Sequence, residues 1–409
     1  MKKEVKVIIS HSGKQHSYYL ANALNHLRML TAFYTSTYIS SKFMQRVLSA
    51  ISPFFAKRYL EGLHGSKIKS NFTYELKEFL LRKRYGNSAK VLDAVYERDC
   101  SFDISIAKKL RNNKANVFWG FQGSCLETLK EANRLGYVSI IEMAGVHNQY
   151  IKNLVDYSTK NYPLYLETSK AYEFPDWYYQ RLLDEPLTAN VVVAASSFTK
   201  LTLMEAGIES NKIVVLPLGT SIKRDEPSFE LKNDPNKVNL LFVGRLSFYK
   251  GLYFLLEAMK TLKPLNVTLT CIGHIPGDGS HLKEYTDYFT YLGSMSQTEL
   301  FEKYADYDLL ILPTLHDGFG LVYLEAMASG LPVIGSENSA APDLVNEGVN
   351  GYVIPAFSVD EIVNKVLLYK NLSPEQKILM KKNAYQTFTE NSWERYEEKL
   401  QKVLSNIIN

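Results

Sequence analysis

The sequence predicts an α/β chain of two doubly wound domains, each built on a parallel sheet, facing each other across a central cleft. Three observations carry this. The chain has 409 residues, more than one ordinary domain holds. Short β-branched apolar runs alternate with helix-period segments from end to end, the mark of βαβ units whose strands are buried on both faces. The stretch "LPLGTSIKRDEPSFELKNDPNK", residues 216–237, is polar, carries three prolines and shows no apolar period, so it divides the alternation.

Taken in order, "VKVIIS" opens the first sheet. Its basic start is followed by an apolar run that His11 and Lys14 cut short, too brief for a secretory leader. "NVFWGF", "VSIIEM" and "NVVVAAS" read as further strands of that sheet. "LLFVG", "VTLTCIG", "DLLILPT", "LPVIGS" and "GYVIP" read as strands of a second. Domains are therefore expected at 1–218 and 238–385, with a linker at 219–237. The closing piece, 386–409, holds an amphipathic helix with Trp393, Tyr396, Leu400, Val403 and Leu404 on about one face.

Composition narrows the class. With 46% apolar and 22% charged residues the chain can bury sizeable cores and is not disordered. No apolar run reaches the roughly 18 residues that a membrane span needs. Cys100, Cys125 and Cys271 are isolated, as core thiols in a reducing compartment are, so a cytoplasmic setting is expected. The net charge of +4 is uneven: residues 1–190 hold 27 Lys and Arg against 17 Asp and Glu, the remainder 20 against 26. Across residues 41–86, Lys42, Arg46, Lys57, Arg58, Lys67, Lys69 and the run from Arg82 to Arg84 alternate with Phe, Leu, Ile and Tyr. Such a run is either a pair of solvated surface helices or a patch for anionic headgroups at the inner face of a membrane. No nucleic-acid reading module accompanies it, so no nucleic-acid partner is expected.

Two stretches carry chemistry. "FVGRLSFYKG", Phe242 to Gly251, follows directly on a strand. Gly244 permits a sharp turn there, Arg245 projects a guanidinium fork and Lys250 adds a point cation before the next helix. Two cations at the end of a parallel strand suit a diphosphate. "LHDGFGLVYLEAMASGLPVI", Leu315 to Ile334, gives a strand-end loop, the turn Gly318-Phe319-Gly320 and a helix that stops near Gly330. The amides of Gly320, Leu321 and Val322 at the helix start are free to donate to phosphate oxygens. Glu325, about one turn in, can accept from vicinal hydroxyls, and Asp317 can hold a sugar hydroxyl. The plainer alternative makes Asp317 a capping acid and Glu325 a buried helix acid paired with a lysine. His147, after "VSIIEM", is expected at a strand end facing the cleft; His16, His316 and Glu142 are weaker candidates. Neither GxGxxG nor a Walker loop is present, and the eight histidines form no metal-ligand spacing.

In combination and order, "GRLSFYKG" and "LHDGFGLVYLEAMASGLPVI" resemble the retaining glycosyltransferases of family 4, which have the GT-B fold. "RLLDEPLTANVVVAASSFTKLTLMEAGIESNKIVVLPLG", "YLGSMSQTELFEKYADYDLLILPT" and "DLVNEGVNGYVIP" extend the resemblance over about residues 185–395, and it thins from 1 to 184. The resemblance implies two Rossmann-like domains and a C-terminal helix returning towards the N-terminal one. It implies transfer of a hexose, with retention, from a UDP- or GDP-linked sugar to an acceptor hydroxyl. Arg245 and Lys250 would hold the diphosphate and stabilise it as it leaves, and Glu325 would bind the ribose. His147 would contact the donor sugar, and the backbone at Gly13 would approach the diphosphate. Asp317 stands where the family has a glutamate on the transferred sugar, a shorter arm that keeps the charge. No cofactor and no metal would be required. A saccharide or lipid-linked acceptor in surface polysaccharide or glycolipid assembly is the partner implied. The competing readings are a nucleotide-sugar epimerase or hydrolase, a phosphorylase on the same architecture, and a non-catalytic sugar-nucleotide-binding scaffold.

Overall fold

The structure, a computed structural model, describes residues 4–408 apart from 64, 87, 167–172, 221, 223, 232, 233 and 235, so five residues of the expected linker lie outside the description. Two all-parallel sheets organise the chain. The first holds seven strands: β1 (Val7–His11), β2 (Leu30–Thr35), β3 (Ile68–Ser70), β4 (Val117–Phe121), β5 (Val138–Met143), β6 (Val191–Ala194) and β7 (Ile213–Val215). Its spatial order is β3-β2-β1-β4-β5-β6-β7. The second holds β8 (Val238–Val243), β9 (Val267–Ile272), β10 (Thr290–Tyr291), β11 (Leu309–Leu312), β12 (Val333–Ser336) and β13 (Gly351–Ile354), in the order β10-β9-β8-β11-β12-β13.

Each order reverses once, between β1 and β4 and between β8 and β11. At such a reversal neighbouring crossovers leave in opposite directions and open a crevice at the strand C-termini, where ligands of doubly wound sheets sit. The loops after β1, β8 and β11 are thereby placed for function. The central strands β1, β4, β8 and β11 are almost wholly buried, as strands covered by helices on both faces must be.

Four strands lie outside the sequence reading: β2, β3, β7 and β10. The last three are two or three residues long and each stands at an edge of its sheet, so they have no room for an apolar run. β2, "LTAFYT", follows the first helix with no Gly or Pro to announce it.

The terminal helix Trp393–Ile408 leaves the second domain and buries Tyr396, Leu400 and Leu404 among Val7, Ile9 and Tyr18 of the first. Trp393 stacks on Tyr19, ring centroids 4.3 Å apart and 3° from parallel. There the outgoing and returning chains meet: Thr220 N–H donates to Asn391 O at 3.0 Å. A Cβ at Gly219 would lie 2.8 Å from the Trp393 backbone. The two crossings form one tight hinge.

The helix Lys42–Ile51 buries none of its residues, although Phe43, Met44, Val47 and Ile51 fall along one side of it. Phe43 is 75% and Ile51 74% exposed.

Candidate functional site

The site grows from two loops at the second sheet's switch point. After β8, Gly244 takes φ +147°, a backbone state that side chains disfavour, and Arg245 emerges exposed at the sheet edge. A short 3-10 turn, Phe248–Lys250, then ends on Gly251, which begins the helix Leu252–Leu262 at φ +75°. A Cβ on residue 251 would stand 1.7 Å from the Pro313 carbonyl oxygen, so only glycine lets this turn lie against the end of β11. Leu315 N–H and Thr314 Oγ1 both donate to Tyr249 O, at 2.9 and 3.1 Å.

That close packing brings Lys250 Nζ onto Asp317 Oδ2, across 67 positions of sequence. The other oxygen, Oδ1, accepts from Phe319 N–H at 3.3 Å. Burial alone would raise the Asp317 carboxyl. The Lys250 ammonium, with smaller help from His316 and the Phe319 amide, outweighs it and holds the acid below its ordinary value. Asp317 is thus an ionised acid bound to the lysine as well as a loop cap. Beside it, burial and the nearby Lys250 charge push His316 down to about 4, so its ring is neutral at pH 7.

The helix Leu321–Met327 starts at Gly320, φ +81°, and the chain reverses at Gly330, φ +67°. Among the described residues, Glu325 has no lysine partner. Its carboxylate accepts from Gln297 Nε2 at 3.1 Å and from Tyr304 OH at 3.3 Å. Burial raises its pKa, and these two hydrogen bonds offset part of the rise.

Two cavities of about 330 Å³ open along the cleft. One is walled by Arg245, Lys250, His316 and Asp317 from the second domain and by Ala144 and Gly145 from the first. The other is walled by Glu325, Gln297 and Leu321 on one side and by Gln15, His16 and Tyr19 on the other. Ala144 lines both, so they are neighbouring compartments of one groove. The domains touch at Gly318, where a Cβ would fall 1.9 Å from the Ala144 carbonyl oxygen.

Several expectations need correction. His147 does not face the cleft. It is 4% exposed and caps the helix Asn148–Asn161, its Nδ1 accepting from Gln149 N–H at 3.3 Å, while burial holds it down at about 4. The cleft position at the end of β5 belongs to Ala144, three residues earlier. Gly13 is likewise occupied: its N–H donates to His11 Nδ1 at 2.6 Å and its carbonyl accepts from Thr35 Oγ1 at 3.1 Å. Gln15 and His16 take its place at the cavity wall. Phe319 is a core side chain, 3% exposed, so only its backbone belongs to the loop. The Val322 side chain packs against the core, which leaves its amide at the helix start, and Gly244 forms the turn after β8.

Gln297 and Tyr304 went unnoticed in sequence because nothing in residue type marks a glutamine and a tyrosine as partners of a distant acid. Among the described residues, no cluster of His, Cys, Asp and Glu is placed to hold a metal ion, and no helix is long and apolar enough to cross a membrane.

A family model described as glycosyl transferases group 1 matches residues 237–369, the part of the chain that carries both cation loop and glutamate helix. Those residues, about a third of the chain, are similar to the group 1 glycosyl transferases. An uncharacterized 41.2 kDa protein in the cps region of Klebsiella pneumoniae is 26% identical over 275 residues, 64% of this chain and 72% of that protein. The capsular polysaccharide biosynthesis glycosyltransferase CapM of Staphylococcus aureus is 25% identical over 58% of this chain and 64% of its own. The first relatives are matched over between 34% and 72% of their length. Among solved structures, sucrose-phosphate synthase from Thermosynechococcus elongatus superposes with a TM-score of 0.62 at 17% identity, covering 98% of this chain and 99% of its own. The two-domain fold of the chain is GT-B, with its cleft at the paired switch points.

Proposed function

We propose that this protein is a glycosyltransferase that moves a hexose from a UDP- or GDP-linked sugar to an acceptor hydroxyl with retention at the anomeric carbon. The observation that carries the reading is the convergence of Arg245, Lys250 and Asp317 on one cavity at the β8/β11 switch point, closed from the other side by Ala144 and Gly145. Two cations and an acid in a partly dry groove suit a diphosphate joined to a polyhydroxylated ring. Arg245 and Lys250 neutralise charge that grows on the departing phosphate. Asp317, oriented by Lys250, accepts from a hydroxyl of the transferred sugar. Glu325, oriented by Gln297 and Tyr304, accepts from the ribose.

Glu325→Gln should weaken nucleoside diphosphate binding by about tenfold, which is one hydrogen bond to a charged acceptor. Calorimetric titration with UDP and GDP tests this, and unchanged affinity for the diphosphate that binds would refute the ribose assignment. The pH dependence has a defined sign. The Glu325 carboxylate is raised in the folded protein, so its acceptor form is present at neutral pH and is lost as pH falls, starting above the ordinary carboxylate value of 4.5. His316, at about 4, stays neutral across that window. The wild-type protein should therefore show an acid-side loss of affinity that Glu325→Gln lacks.

The acceptor side supports a saccharide or lipid-linked acceptor at an anionic membrane surface. The helix Lys42–Ile51 exposes Phe43, Met44, Val47 and Ile51, and Lys42, Arg46 and Lys57 lie on or just beyond it. A bare apolar stripe rimmed by cations matches headgroups above acyl chains. Leu76 and Leu80, 42% and 55% exposed, lie on the next α-helix, Thr73–Tyr85, whose last turn holds Arg82, Lys83 and Arg84. Phe43→Ser with Ile51→Ser should abolish co-sedimentation with phosphatidylglycerol vesicles while leaving nucleotide affinity intact. Equal sedimentation of variant and wild type would remove this contact. Relatives in a cps region and in capsular polysaccharide biosynthesis agree with surface polysaccharide assembly as the setting.

A further inference from the structure

A buried histidine–glutamate hydrogen bond opens onto the cleft from the N-terminal domain and has no part in the chemistry above. His16 Nε2 meets Glu142 Oε1 at 2.5 Å, and Glu142 Oε2 accepts from Trp119 Nε1 at 2.9 Å. Both Glu142 and Trp119 are sealed in the core, 2% and 0% exposed. His16 is not sealed, and forms the wall of the cavity that Glu325 and Gln297 close from the opposite side. Its ring also packs edge-on against Phe121, centroids 5.2 Å apart. The backbone is bent to deliver it: Gln15 is held at φ +32°, a left-handed state uncommon for a residue with a side chain.

We infer that His16 is the N-terminal domain's hydrogen-bonding contact to the ribose of the nucleotide, with Glu142 as the residue that positions its ring. The inference rests on the reading in which Glu325 binds that ribose. Glu142 is an acceptor on both oxygens, so the proton shared with His16 belongs on Nε2 and the ring presents Nδ1 as an acceptor. Among the described residues Nδ1 has no hydrogen bond. A ribose offers two neighbouring hydroxyl donors. Glu325 takes one from the second domain and His16 the other from the first, across a cavity within the size range of small-molecule sites. A buried polar pair that served packing alone gains nothing from an open side, since apolar residues of the same volume fill a core at least as well.

One consequence is that nucleotide binding and domain closure reinforce each other, because the sugar of the nucleotide bridges the two domains. The pair also supplies discrimination against a ribose lacking the hydroxyl that His16 holds.

The test is a binding cycle on the full chain, read by calorimetry with UDP, GDP and their 2′-deoxy and 3′-deoxy forms. His16→Ala should weaken the better ribonucleotide about tenfold, and one deoxy form should bind wild type and His16→Ala within about twofold of each other. Unchanged ribonucleotide affinity in His16→Ala overturns the inference. So does an equal loss for the ribo and both deoxy forms, which is the mark of a purely structural pair. Should the alanine variant fail to fold, His16→Gln, whose amide can reach Glu142, takes its place in the same cycle. Glu325→Gln run in parallel separates the layers. If it weakens binding and His16→Ala does not, only the histidine assignment falls. If neither changes affinity, or if neither diphosphate binds the wild type, the ribose reading falls with it.

Discussion

Replacing Lys250 with alanine is expected to lower the turnover number about a thousandfold, with a much smaller change in donor KM. The ammonium acts where charge accumulates on the leaving phosphate, and a preorganised charge at that point contributes more to the transition state than to the bound substrate. A second effect follows from the ion pair with Asp317. Without Lys250, the acid loses the largest of the groups that offset its burial, so its pKa should rise. The associated loss of stability is about 1–3 kcal/mol, less than for a sealed pair because 29% of the Lys250 side chain and 20% of the Asp317 side chain are exposed. Adding Asp317→Asn to Lys250→Ala should restore the melting temperature and leave turnover low. Steady-state kinetics and thermal melts on the two variants separate these effects. Near-normal turnover in Lys250→Ala would remove the leaving-group role.

The next largest effect is expected from one methyl group. In Gly318→Ala the new Cβ would sit 1.9 Å from the Ala144 carbonyl oxygen and 2.6 Å from Gly145 Cα, both across the cleft. The loop has little freedom to retreat. Asp317 N–H donates to Asn338 O at 2.8 Å, and Gly318 O accepts from Thr199 Oγ1 at 3.2 Å. A second tie holds the domains nearby, where Ser197 N–H donates to Asp343 Oδ2 at 2.8 Å. The strain is relieved by parting the domains at the expense of these two cross-domain hydrogen bonds, which withdraws Ala144 and Gly145 from the cavity of Arg245 and Lys250. A displacement of about 1 Å at a reacting centre costs roughly a hundredfold in rate. Turnover should fall by about that factor. The melting temperature should change little, because each domain keeps its own core and φ at residue 318 is not left-handed. Small-angle scattering with bound nucleotide should report a more open molecule. Unaltered turnover would mean that closure at Gly318 is irrelevant to catalysis.

The second sheet could be read in sequence because its main strands are apolar runs bounded by glycine or proline, and because its two functional loops are continuous segments. Arg245, Lys250, Asp317 and Glu325 each sit on a residue-type signal at a strand or helix end. What could not be read is how these residues pair. Lys250 and Asp317 looked like two separate ligand contacts; Gly251 and Pro313 pack so closely that the two side chains meet each other first. Glu325 was expected either on a ribose or against a lysine, and its neighbours are a glutamine and a tyrosine supplied by 3D packing. In the first domain a histidine after β5 drew attention for its chemistry. The loop rotates His147 into a capping role and leaves Ala144, which has no functional group to signal it, at the cleft. His16 and Glu142 are 126 positions apart, and only the adjacency of β1, β4 and β5 in the sheet makes them a pair. Local pattern reveals elements and loops, whereas contacts between loops depend on sheet order.

A crystal structure of the protein with a bound nucleoside diphosphate addresses the central claim most directly. It should place the diphosphate within hydrogen-bonding distance of both Arg245 and Lys250, between the β8 and β11 loops, with the ribose at Glu325. A diphosphate bound elsewhere, or held with those two cations turned away from it, would contradict the account.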